Sequence, residues 1–155
     1  MDSVDCLIAN TRNNPIEELE WRFPMRTERY ELRDEACAAG KWRGGIGIVR
    51  VNRLLVDTIV TCEGERHESD EPWGIFGGQI GVNASVVHNE GQSDEQNWPS
   101  KFTGYQLEGG DTITISVPNS GGYGDPLERE ATRVLSDVLD GFTTVELAKQ
   151  DYGVI

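Results

Sequence analysis

Apolar and polar residues follow two rhythms along this chain. In most segments up to residue 118 they alternate in short runs, the period of a β-strand; beyond residue 125 the apolar positions recur at three and four, the period of a helix. An early exception is "NPIEELEWRF". Asn14 can cap a short helix there, Pro15 fits its first position, and Glu17, Glu18 and Glu20 suit its positive end. Pro24 stops it. "MRTERYELR" (25–33) then reads as a strand with Met25, Thr27, Arg29, Glu31 and Arg33 on one face and Glu28, Tyr30 and Leu32 on the other. Neither face is cleanly apolar, which predicts an edge strand or one lying between two subunits.

"RDEACAAGKWRGG" reads as a loop. "IGIVRVNRLLVDTIVTC" (46–62) is rich in β-branched residues and predicts one long bent strand or two paired ones. A glycine-rich loop (63–81) holds Trp73 and Phe76, "VNASVVHNE" (82–90) is strand-like, and "EGQSDEQNWPSK" is a polar loop. "DTITISVP" (111–118) alternates after the turn signal "EGG". In "DPLEREATRVLSDVLDG", Asp125, Pro126 and Glu128 have the spacing of a cap, first position and capping-box partner. Leu127, Ala131, Val134, Leu135, Val138 and Leu139 keep helical spacing, and Gly141 closes the element. Thr143, Glu146 and Gly153 bound a second helix in the same way. The expected class is α+β, mainly β: a glycine-rich β-sheet body with two short carboxy-terminal helices, forming a single domain over 1–155.

Charge narrows the range of partners. The 155 residues hold 27 acidic and 14 basic side chains, a net charge of -13. That field repels nucleic acid and anionic membranes, and both are set aside as partners. No run approaches the roughly 18 apolar residues of a membrane span, and "MDSVDCLIAN" makes a poor signal peptide because no basic residue precedes its apolar patch. Cys6, Cys37 and Cys62 are distant and odd in number, which fits a reducing compartment; the expected location is the cytoplasm. Lysines are few (Lys41, Lys101, Lys149), whereas arginines are interleaved with glutamates between Arg22 and Arg53. Arginine suits fixed planar ion pairs, within the chain or across an interface.

"PNSGGYGDPLERE" (118–130) raises the question of phosphate binding, because glycine loops entering helices often hold anions. No Gly-Lys-Ser/Thr follows it, GxGxxG spacing is absent, and Asp125, Glu128 and Glu130 already neutralise the helix start. Packing is the better reading. Gly121, Gly122 and Gly124 admit close backbone approach, and Tyr123 adds a rigid ring with a polar tip. "EPWGIFGGQIG" has the same build. Catalytic arrangements are scarce: GxSxG and HExxH are missing, and the two histidines, His67 and His88, are far from any candidate nucleophile. A zinc site from Cys62, His67 and His88 has "CEGERH" in its favour, but no close ligand pair from one turn.

Five segments, "NTRNNPIEELEWRFPMRTERYELR", "GKWRGGIGIVR", "PWGIFGG", "GGYGDPLER" and "VLSDVLDGFTTVELAKQDYGV", together resemble the hydantoinase B family. That family includes one half of 5-oxoprolinase and large subunits of ATP-dependent ketone carboxylases. The likeness is dense over 10–81 and 118–155, and it concerns only the carboxy-terminal part of much longer chains. The family's metal ligands lie in the larger amino-terminal part, so none carries over. The resemblance implies extended, polyproline-like glycine segments packed on one another. It also implies a small, non-catalytic subunit that completes a large hydantoinase B-like chain, with ATP bound by hydantoinase A-like subunits and a divalent metal held outside this chain. The expected complex is an ATP-dependent carboxylase such as acetophenone carboxylase; the alternatives are a hydantoinase or oxoprolinase-type amidohydrolase, and a stand-alone β-sandwich presenting Trp42, Trp73 and Trp98 to a ligand. The candidate interface residues are Trp73, Phe76, Gly77, Gly78, Tyr123, Arg26, Arg29 and Arg43, since aromatic and arginine side chains dominate interfaces.

Overall fold

β1 (Met25–Leu32) takes the edge of a five-stranded antiparallel sheet in the computed structural model, which describes residues 13–67 and 71–154. Cys6, Asp70 and the amino-terminal stretch "MDSVDCLIAN" lie outside the described residues. The edge position follows from β1's two charged faces, which no second neighbour could cover. The sheet continues through β2 (Ile48–Leu54), β7 (Thr112–Ser116), β4 (Ser85–His88) and β5 (Gln96–Trp98), in that spatial order. β3 (Thr58–Glu63) and β6 (Lys101–Leu107) form a separate two-stranded ribbon. The 46–62 run is therefore two strands, but they pair with other partners and not with each other. The chain turns after Leu54 without a glycine or proline to mark the break.

The ribbon closes over one face of the sheet. Leu54, Val86 and Ile113 from the sheet meet Phe102 and Leu107 from the ribbon, with Met25, Val60, Cys62 and Trp98 around them. Trp98 stacks on His88 and meets Phe102 and Tyr105 edge-on, each at 5.0 Å between ring centres. β5 and β6 fall where the sequence predicts only a polar loop, because β6 buries just two apolar side chains, Phe102 and Leu107.

α1 (Ile16–Arg22) starts at Pro15, not Asn14, and has no side-chain cap. The predicted helix from Asp125 is divided. Asp125 caps a single 3-10 turn, Pro126–Glu128, by accepting from the Leu127 N–H at 2.9 Å; Arg129 is extended, and α2 (Ala131–Leu139) follows. Glu128 serves no capping box and pairs instead with Lys41 at 2.8 Å. α3 (Val145–Tyr152) is capped by Thr144, one residue later than expected, and ends at Gly153 in the left-handed conformation (φ 65°). A second small core holds this helical hairpin to the rest: Ala39 packs against Val134, Ala148 and Tyr152.

Candidate functional site

Three extended segments run together between the sheet and the hairpin: 38–47, 72–82 and 117–124. Their backbones bond to one another directly. Trp42 and Tyr123 exchange N–H···O=C bonds of 2.9 and 3.0 Å, Ile75 N–H donates to Gly122, and Gly122 N–H donates to Gln79. The central segment lies so close to both neighbours that side chains have no room. A Cβ at position 44 would sit 1.9 Å from the Ser120 oxygen, and one at position 81 would sit 1.9 Å from the Asn119 oxygen. Gly78, Gly121 and Gly122 would each bring a Cβ to 2.1 Å from a carbonyl oxygen. These glycines are a packing requirement, as the sequence suggested.

Outside the seam lies an aromatic face. Phe76 (77% exposed) meets the ring of Tyr123 edge-on at 5.3 Å, and Trp42, Ile75 and Tyr123 are also exposed. Phe76 has φ 52°, a left-handed conformation that a bulky side chain adopts at a cost of about 1–2 kcal/mol. Gly77 (φ 94°) completes the turn, and Gly78 passes under Gly122. Trp73 is exposed too, with the Arg66 guanidinium 4.3 Å from its ring.

Buried polar side chains hold the seam in place. Asn119 is fully buried: its Oδ1 accepts from the Gly47 N–H at 2.7 Å, and its Nδ2 donates to the Glu35 carbonyl at 3.1 Å. Arg33, also buried, donates to the Asn83 and Val117 carbonyls and forms a two-point pair with Glu35. The guanidinium beside Glu35 holds that carboxyl below its ordinary range. Asp137 on α2 accepts from Arg43 at 3.0 Å and from Arg129 at 2.7 and 3.0 Å, and Arg43 also lies 4.1 Å from the Phe142 ring. Asn119, Arg33 and Asp137 carry no spacing signal in the sequence. Only the polar type at a position that turns out to be enclosed marks them.

Among the described residues, the one group of three whose metal-competent atoms lie within 4.8 Å is His88, Asp94 and Asp111, so Cys62 and His67 do not join His88 in a site. Burial pushes the Cys62 thiol up, which disfavours the thiolate a metal needs. The Asn89 amide donates to Asp94 at 2.8 Å and to Asp111 at 3.1 Å, so the two carboxylates are already drawn together by a donor. Burial opposes the charge on Asp111; the Asn89 amide, the Glu108 N–H and nearby His88 outweigh it and hold the carboxyl below its ordinary value. A depressed folded-state value adds stability above the ordinary carboxylate range and loses it as pH falls through that value. Asp111→Asn should therefore cost about 1–2 kcal/mol at pH 7. Urea unfolding of both proteins across pH 7 to 3 should show the gap narrowing below pH of about 4; a gap that widens on acidification contradicts this.

Comparison with known proteins bears on the seam. The model of the family described as hydantoinase B/oxoprolinase matches residues 1–126. The B component of a D-/L-hydantoinase from Pseudomonas sp. (strain NS671) is 48% identical over 155 residues, covering 99% of this chain and 26% of the relative. This chain belongs to the hydantoinase B/oxoprolinase family. The crystal structure of an ATP-dependent caprolactamase from Pseudomonas jessenii superposes with a TM-score of 0.75 at 26% identity, over 94% of this chain and 26% of that one. A nucleotide-free acetone carboxylase gives 0.71 at 20% identity, over 94% and 24%. This chain spans about a quarter of the length of the curated relatives it matches first.

The hydantoinase B fold thus accounts for the mainly β, α+β architecture with its terminal hairpin. It brings Trp73, Phe76, Gly77, Gly78 and Tyr123 to one seam. Arg26 and Arg29 sit apart from it on exposed edge strand β1, Arg29 pairing with Glu31, and Arg43 is enclosed against Asp137. Trp98 packs against the core and does not share a platform with the exposed Trp42 and Trp73. No helix among the described residues is long and apolar enough to cross a membrane.

Proposed function

We propose that this chain is a non-catalytic, cytoplasmic subunit of an ATP-dependent complex of hydantoinase type that opens cyclic amides. Its partners are a large hydantoinase B-like chain and hydantoinase A-like chains that bind ATP and the divalent metal. The observation that carries the reading is the 48% identity, over 99% of this chain, to a hydantoinase B component of about four times the length. The ATP-dependent caprolactamase adds a second cyclic-amide relative at 26% identity. Ketone carboxylation, with acetophenone as the narrower case, has the weaker support: the likeness to acetone carboxylase at 20% identity bears on the fold alone.

In this reading the chain contributes architecture. Trp73, Phe76 and Tyr123, on the turn made by Gly77 and Gly78, face the large chain, and Arg26 and Arg29 meet it from the sheet edge. The strained turn at Phe76, which leaves its ring in solvent, is the kind of cost retained where a surface is used. Arg43 acts from within, holding the hairpin to the seam.

The test is co-expression with hydantoinase A-like and B-like chains, followed by phosphate release with hydantoin or caprolactam, or with acetophenone plus bicarbonate. Cyclic amides should drive ATP hydrolysis only when all the chains are present. Turnover supported by the ketone and bicarbonate, but not by either cyclic amide, would overturn the substrate class.

A further inference from the structure

We infer that the groove between α2 and α3 is the docking site for an apolar helix of the large hydantoinase B-like chain. This rests on the subunit reading above and assigns a surface to it. Ala131, Val134, Val138, Ala148 and Val154 line the groove, which encloses about 530 Å³. Leu135, at 60% exposure, and Val145, at 66%, stand on its two walls, and Leu139 continues the apolar surface along α2. Apart from Thr132 and Lys149, every lining side chain is apolar. A groove between two helices accepts a third helix carrying apolar residues at i, i+3 or i+4, and i+7.

Two further observations point to a large partner as the occupant. First, the chain exposes 10,075 Å², whereas a compact monomer of 17.2 kDa exposes about 7,800 Å². The excess, about 2,300 Å², matches one partner's share of a large permanent interface. Second, the match to the hydantoinase B component covers 99% of this chain, the hairpin included, and only 26% of the relative. In that protein the hairpin belongs to a polypeptide whose other three quarters must pack around it. Charge sets the occupant's flanks. Asp140 and Glu146 are exposed beside the groove on a chain of net charge -13, so the docking helix should carry lysine or arginine next to its apolar stripe.

The experiment measures affinity for the large hydantoinase B-like chain with wild type, with Leu135→Arg/Val145→Arg, and with Ile59→Arg, a comparably exposed residue on β3. Burying two cations in an apolar groove should weaken binding at least about 30-fold in the double variant, and leave the Ile59 variant within about threefold of wild type. Hydrogen exchange of the wild-type complex provides a readout free of folding effects: 131–139 and 145–152 should gain protection on binding. A double variant that binds like wild type, no protection of the hairpin, or a homodimer seated on the groove would each overturn the proposal. If wild type itself fails to bind the large chain, the subunit reading falls with it; if wild type binds and the hairpin stays unprotected, only the groove assignment falls.

Discussion

Gly44→Ala should be among the most damaging single substitutions in this chain. The new methyl would sit 1.9 Å from the Ser120 oxygen and 2.8 Å from its carbonyl carbon, both backbone atoms that no rotamer change can move. Accommodation requires the 38–47 and 117–124 segments to separate by more than 1 Å, which breaks the Ser120 N–H···Gly45 bond of 2.9 Å. Overpacking an adaptable core costs about 1–3 kcal/mol. A rigid backbone contact belongs at or beyond the upper end, so the melting temperature should fall by about 10 °C. Gly91→Ala is the comparison. Position 91 has φ 77° and no atoms within 4 Å of the added Cβ, so only the backbone penalty of about 1 kcal/mol remains. Equal melting temperatures for the two variants would show that the seam is looser than described.

Asp137→Ala should be comparably severe by a different route. Its carboxylate is shared by Arg43, from the seam, and Arg129, just before α2, and all three side chains are largely enclosed. Removing it leaves two enclosed guanidinium groups without the anion between them, a loss of about 3–5 kcal/mol. Replacing the whole triad by apolar residues would cost far less, because the penalty lies in stranded charge. Arg43 and Asp137 join the hairpin to the seam, so the damage should be local first. Hydrogen exchange should rise across 131–152 while the five-stranded sheet keeps its protection. A global loss of protection at the same denaturant would mean that hairpin and sheet open as one unit.

The parts of this structure that the sequence disclosed are those written in short-range signals. Paired glycines beside an aromatic residue in "PWGIFGG" and "GGYG" announced a packed seam, and Gly153 announced the end of α3. β1 was legible as an edge because its charges occupy both faces. What stayed hidden depends on residues distant in sequence. Nothing near Leu55 shows that β2 and β3 part company; the separation is decided by Phe102 and Leu107, about fifty residues on. Arg129 reads as mid-helix by spacing, yet it is extended, and its guanidinium meets Asp137 and the Lys41 carbonyl. Asn119 has the look of a turn residue after Pro118, and its full burial follows only from the convergence of three segments. The interface assignment of Arg43 drew on residue type alone, and residue type does not distinguish an enclosed guanidinium from an exposed one.

The most direct measurement is sedimentation velocity on this chain expressed alone and together with a hydantoinase B-like large chain. A docked subunit, with its glycine seam and apolar hairpin covered, should co-sediment with the large chain as one boundary that persists on dilution to nanomolar concentrations. Two independent boundaries, one at 17.2 kDa and unchanged by the larger protein, would contradict the subunit assignment.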